Sequence, residues 1–234
     1  MKQGFSGSKL QLIGNLVEKI SSDDSFTSSQ ERQKDLIALS HRLDILPKID
    51  HITGKSIFME YVMGREGMTI DNALRAGKAL RLLHEQTDYQ HLCMTGLDWL
   101  IQLANENLAQ YNDRYEDFSG FKAEYPIDAL IHSEPGQYIE KEDGSIVFID
   151  IEGIGMGSRY QDLGSIYYGA MSDEIPEIFP AFMAGYQSSP IYIELWRVMR
   201  LAGLYSIAYA GFADYKKRIE FGLRLLDEIR KKER

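Results

Sequence analysis

The segment Leu130-Ile131-His132-Ser133-Glu134-Pro135-Gly136-Gln137-Tyr138, followed by Ser145-Ile146-Val147-Phe148-Ile149-Asp150-Ile151-Glu152-Gly153, holds most of the chemistry in this 234-residue chain. A polar cluster (His132, Glu134, Gln137) precedes a β-hairpin expected over 137–141 and 145–150, with Glu142-Asp143-Gly144 as its turn. Glycine there can take positive φ. The run Ile146–Ile149 is continuously apolar, which predicts a buried strand. If that strand continues, Asp150 and Glu152 point the same way. Two acids delivered beside a third acid and an amide suit a hard cation.

These residues resemble the aminoglycoside phosphotransferase and choline kinase family, small-molecule relatives of the protein kinases. The family's His-x-Asp, Pro-Gly-Asn-Ile, Ile-Asp-Trp-Glu and Tyr-x-Asp-Leu segments are matched by His132-Ser133-Glu134, Pro135-Gly136-Gln137-Tyr138, Ile149-Asp150-Ile151-Glu152 and Tyr160-Gln161-Asp162-Leu163. Glu134 stands where the family has its catalytic Asp, Gln137 stands where it has a metal-binding Asn, and the loop between them is shorter than usual. Longer arms on a shorter loop would restore the reach.

Composition is that of an ordinary soluble globule, 44% hydrophobic and 26% charged. A net charge of −9 argues against a nucleic-acid surface and is compatible with a neutral or cationic acceptor. The single cysteine, Cys93, excludes an intrachain disulfide and reads as a small buried hydrophobe. No run is long enough to span a membrane and no signal-peptide pattern opens the chain, so a cytoplasmic protein is expected.

Ahead of the central segment, Gly4-Phe5-Ser6-Gly7-Ser8 precedes a strand at Lys9–Ile13, a Gly14-Asn15 turn and a return strand at Leu16–Ile20. A glycine-rich loop between strands lets backbone N–H groups approach phosphates. Lys19 is either a solvated edge residue or, as the resemblance implies, the phosphate-binding lysine. Ser28-Ser29-Gln30-Glu31 fits a capping box, with Glu31 reaching back to the cap; the resemblance offers Glu31 instead as the ion-pair partner of Lys19. Ser56–Gly64 reads as a core strand or, by resemblance, as the hinge whose backbone near Glu60 and Val62 pairs with adenine.

Downstream, helices are expected at Asn72–Glu85, Leu97–Tyr115, from Leu163, at Ile191–Phe212 and at Tyr215–Arg234, with the two prolines in Asp173–Pro180 marking a loop. His84 reads as packing. Trp196, Tyr205 and Tyr209 form an aromatic stripe, either core or a cage for a quaternary ammonium.

The resemblance implies an α+β, two-lobed protein-kinase-like fold: a small antiparallel N-terminal lobe over 1–64 and a mainly helical lobe over 65–234. It implies ATP and Mg²⁺ as cofactors and a small-molecule acceptor with a hydroxyl group, such as an amino alcohol, a sugar or an aminoglycoside-like amine. Gly4, Ser6, Gly7, Ser8 and Lys19 would hold the phosphates, with Glu31 behind Lys19. Gln137, Asp150 and Glu152 would ligate the metal. Glu134 would take the hydroxyl proton, His132 would prop the loop and Asp162 would receive its backbone hydrogen bonds. The departures at Glu134 and Gln137, the shortened loop and the few residues before the glycine loop favour the alternative of a degenerate member that binds nucleotide or a partner without phosphoryl transfer, while the intact Asp150/Glu152 pair and Lys19 favour the enzyme.

Overall fold

The computed structural model describes residues 2–3, 8–21, 29–89, 92, 97–111, 118, 120–187, 193–212 and 214–232. Strands β1 (Lys2–Gln3), β2 (Lys9–Ile13) and β3 (Leu16–Ile20) open the chain, with Gly14 at φ 64° in the predicted turn. Helix α1 (Gln30–Arg42) follows. Its cap is Ser29, one residue later than the sequence suggests: the Ser29 side chain accepts from the Arg32 N–H. Strands β4 (Ile49–Thr53) and β5 (Ser56–Glu60) complete an antiparallel sheet in the order β1-β2-β3-β5-β4. Lys19 lies opposite Ile57 in it. Leu36 and Leu39 of α1 are buried, as is Ile49, whose N–H is bonded by the Ser40 hydroxyl of that helix.

A short strand β6 (Arg65–Glu66) leads into the helical region: α2 (Ile70–His84), α3 (Leu97–Gln110) and the single turn α4 (Phe121–Glu124). Thr69 and Asn72 form the capping box of α2. The central segment supplies β7 (Ala129–Ile131), β8 (Tyr138–Glu140), β9 (Ile146–Phe148) and β10 (Gly155–Gly157). β8 and β9 form the predicted hairpin, shorter than expected at both ends, with Gly144 at φ 79°. β6 pairs on the far side of β8, and β10 pairs with β7. Helices α5 (Arg159–Ser172), α6 (Ile178–Tyr186), α7 (Leu195–Ala208) and α8 (Tyr215–Lys232) close the chain. Pro180 lies inside α6 and not in a loop, because it occupies the first turn, where no intrahelical N–H bond is required. The expected helix to residue 212 ends at Ala208 and tightens to a 3₁₀ turn over Tyr209–Phe212.

Close approach of backbones holds the helical region together. A Cβ on Gly185 of α6 would lie 1.9 Å from the Leu74 carbonyl oxygen of α2, and one on Gly77 of α2 would lie 2.1 Å from the Phe182 carbonyl oxygen of α6. One buried apolar cluster runs from Leu36 and Ile57 of the sheet region through Tyr138 and Phe148 to Leu201 and Leu226. The architecture is thus α+β, with a small antiparallel sheet region and a larger helical region, as the resemblance implies. Among the described residues no helix is long and apolar enough to cross a membrane.

Candidate active site

β9 stops at Phe148, and this changes how the two acids are presented. Asp150 adopts a left-handed conformation (φ 66°, ψ 48°), which Asp tolerates better than most residues. Ile151–Gly153 then forms a 3₁₀ turn. Strand alternation therefore does not align Asp150 and Glu152. A tight turn does, and both carboxylates close on one ammonium. Lys19 on β3, only 8% exposed, forms an ion pair with Asp150 Oδ1 and places Nζ 2.6 and 2.7 Å from the two oxygens of Glu152.

The loop that carries His132 and Glu134 is built against this turn. Ser133 is also left-handed (φ 77°), and its hydroxyl donates to the Gly153 carbonyl at 2.8 Å. A Cβ on Gly153 would meet the His132 carbonyl oxygen at 2.9 Å, so a residue without one is needed there. The backbone N–H groups of His132 and Ser133 donate to the fully buried Asp162 carboxylate at 2.7 and 2.8 Å, the role expected of that residue. Asp162 is in turn 3.0 Å from His84 Nε2, and His84 Nδ1 is 2.7 Å from the Tyr186 hydroxyl. A carboxylate only accepts, so Nε2 carries the proton. His84 is thus structural, as read, but it is a polar link between α2, α6 and the loop.

His132 itself is fully buried against Phe148, with ring centroids 5.4 Å apart. Burial pushes its imidazole below the ordinary histidine range, so the ring is neutral. Neither ring nitrogen makes a well-formed hydrogen bond, although the backbone of Glu134 and Ile149 faces it.

Glu134 is half-buried, and desolvation raises its carboxyl pKa, with Lys19 pulling the other way. Its carboxylate accepts from the Gln137 side-chain amide and lies 3.5 Å from the Tyr209 hydroxyl. Trp99 meets Tyr209 edge-on with centroids 5.9 Å apart and is half exposed. Of the expected aromatic stripe, Tyr209 borders the site, Tyr205 stacks behind it, and Trp196 bonds Glu194 elsewhere. Trp99 takes its place from α3, a contact across the fold that one helix's periodicity cannot show.

Other expected residues fall differently. Gly4, Ser6, Gly7 and Cys93 lie outside the described residues. Ser8 is buried. The Glu31 carboxylate accepts from the Ser29 hydroxyl at 2.9 Å, while both ion pairs of Lys19 go to the turn. The unforeseen residue is Arg32, whose Nη2 donates to the Glu152 carbonyl at 2.9 Å. Glu60 and Val62 line an open cleft of about 890 Å³ between the linker 60–65 and the hairpin tip 140–144, a lining that does not include Lys19. The Glu60 N–H donates to the Lys48 carbonyl and that of Tyr61 to the Asn15 carbonyl.

Among the described residues no group of three or more His, Cys, Asp or Glu side chains is arranged to hold a metal. Mg²⁺ asks less of a protein: it keeps several waters and takes one or two carboxylates together with substrate phosphates. Asp150 and Glu152, already converged on a cation, fit that demand.

No protein-family model matches the sequence, and no curated protein sequence matches it. Solved structures match its fold along nearly the whole chain. A choline/ethanolamine kinase family protein from Mesorhizobium loti superposes with a TM-score of 0.65 at 14% identity, covering 96% of this chain and 85% of its own. An aminoglycoside-3'-phosphotransferase of type VIII gives 0.60 at 17%, covering 88% and 90%. A spectinomycin phosphotransferase, in complex with ADP and spectinomycin, gives 0.57 at 15%, covering 95% and 87%. The chain has the fold of the kinase-like small-molecule phosphotransferases.

Proposed function

We propose that this protein transfers the terminal phosphoryl group of ATP to a hydroxyl of a small organic cation, an amino alcohol or aminoglycoside-like amine. The observation that carries the reading is the convergence of Lys19, Asp150 and Glu152 beside Glu134. Phosphoryl transfer requires positioning and charge neutralisation more than covalent chemistry. Lys19 would bind phosphate oxygens, aided by the backbone of Gly4, Ser6, Gly7 and Ser8, with the adenine edge against the backbone of Glu60 and Val62. Asp150, Glu152 and the Gln137 amide oxygen would hold Mg²⁺, which when bound supplies positive charge to the phosphates. The nucleotide would lie between the units 1–64 and 65–234. Glu134 would accept the hydroxyl proton; burial raises its pKa and so makes it the stronger base. The acceptor class is supported by Tyr209 beside the Glu134 carboxylate, with Trp99 edge-on to Tyr209, and by the net charge of −9. The solved ADP complex of a protein of this fold supports nucleotide binding. We place the protein in the cytoplasm.

A second reading, a nucleotide binder without transferase activity, is favoured by one observation. The Gln137 amide donates to Glu134, occupying both substituted positions with one another. The experiment is thermal stabilisation by ATP with and without Mg²⁺, then ATP consumption with amino alcohols, sugars and aminoglycosides in turn. Stabilisation without turnover on any acceptor supports the second reading; no stabilisation at all rejects both.

A further inference from the structure

Helix α1 presents a cation, not a carboxylate, to the site. Glu31 lies in its first turn and is engaged with Ser29, whereas the next residue, Arg32, is 9% exposed and reaches the Glu152 carbonyl. The turn that Arg32 grips contains the left-handed Asp150 and is fixed from three directions. Lys19 holds its carboxylates from β3, Ser133 its Gly153 carbonyl, and Arg32 its Glu152 carbonyl. Arg32 is the only one of these three anchors that belongs to α1.

We propose that Arg32 is the positioning residue through which α1 sets the Asp150–Glu152 turn, and that Glu152, from within that turn, serves as the carboxylate partner of Lys19 in place of Glu31. The helix then acts on the phosphate-binding lysine indirectly: Arg32 fixes the backbone of Glu152, and the Glu152 side chain fixes Lys19. A guanidinium suits this work because it is always charged and offers several donors in a rigid plane. The functional meaning of the device rests on the phosphotransferase reading; its geometry does not.

The test has two parts, both on the full chain. Amide hydrogen exchange is measured without nucleotide for wild type, Arg32→Met, Arg32→Lys and Glu31→Gln. Loss of a charged donor should speed exchange across residues 149–154 by roughly 10-fold or more in Arg32→Met, while α7 amides keep their rates. Arg32→Lys, which retains the charge and one donor direction, should fall between, and Glu31→Gln should match wild type. Calorimetry with ADP then compares affinities with and without Mg²⁺. In Arg32→Met the metal-free affinity, which depends on Lys19, should fall, and the gain in affinity due to Mg²⁺ should shrink about 10-fold as well. Wild-type exchange rates at 149–154 in Arg32→Met would overturn the proposal. So would equal acceleration of 149–154 and α7 in both Arg32 variants, which would make Arg32 a residue of general stability. A preserved Mg²⁺ gain in a loosened turn would also overturn it. A wild type with no Mg²⁺-dependent binding, together with a loosened turn in Arg32→Met, would reject the phosphotransferase reading and leave the positioning role standing.

Discussion

Glu134 carries opposed demands: a base should be ionised, yet burial raises its carboxyl pKa. The raised folded value means that the native state binds this proton more tightly than the unfolded chain does. Stability therefore falls as pH rises from the ordinary carboxylate range through the folded pKa, and the loss is complete above it. Glu134→Gln should accordingly be more stable than wild type at neutral pH, with the advantage vanishing in acid; equal melting temperatures across that range would contradict the assignment. If Glu134 is the base, the same variant should lose about 10²–10⁴-fold in turnover with ATP affinity unchanged. Asp150→Asn should remove the Mg²⁺-dependent part of nucleotide binding and leave the fold intact, and Lys19→Met should weaken ATP more than adenosine; titration with ATP, with and without Mg²⁺, and with adenosine separates these effects. Asp150 and Glu152 were legible at the end of a buried apolar run, whereas Glu134 and Asp162 were legible through the resemblance of their segments to the phosphotransferase family. The sequence could not show that a left-handed Asp150 and a 3₁₀ turn, not strand alternation, bring the first two together. Nor could it single out Arg32, whose partner is a backbone carbonyl 120 residues away, a pairing that no local pattern records.

At the level of elements, the α2–α6 pair joins packing to the site. Gly77 and Gly185 each admit a carbonyl of the opposite helix. Gly185→Ala would force the methyl into the Leu74 carbonyl, so the helices must part, at a cost of about 1–3 kcal/mol or more. For a chain of this size each kcal/mol lowers the melting temperature by about 2–4 °C. Calorimetric scans of Gly185→Ala and of Gly169→Ala, where a Cβ meets nothing within 4 Å, should separate the two. Parting the helices also moves Tyr186 relative to His84, so the change should reach the loop through Asp162. The periodicity of α2 was visible in the sequence, whereas α6 was hidden by the prolines that read as a loop, and helix ends depended on details that composition hides: a cap at Ser29 and not Ser28, a proline absorbed into a first turn, and a tightening after Ala208.

For the molecule as a whole, the apolar cluster of described residues that joins the sheet region to α8 predicts one cooperative unfolding transition, with sheet and helices lost together. Two resolved calorimetric transitions would show the regions to be energetically separate. A nucleotide that binds only the native state should raise that transition, by about 2.7 kcal/mol when present at 100 times its Kd, and should do so more strongly with Mg²⁺. The convergence of two carboxylates on Lys19 has a further consequence for how such binding must proceed. Asp150 precedes the 3₁₀ turn in a left-handed conformation and Glu152 lies within it, and their carboxylates meet at Lys19. Two carboxylates held this close repel one another unless a cation lies between them. On the proposed function Lys19 would act as a resident counter-ion: an arriving polyphosphate would offer it a new anion, and a carboxylate it vacates would be left in want of another cation. Nucleotide and divalent metal would on this basis enter as coupled guests, each more readily in the presence of the other, and the free protein would keep its acids closed by carrying its own substitute for the metal.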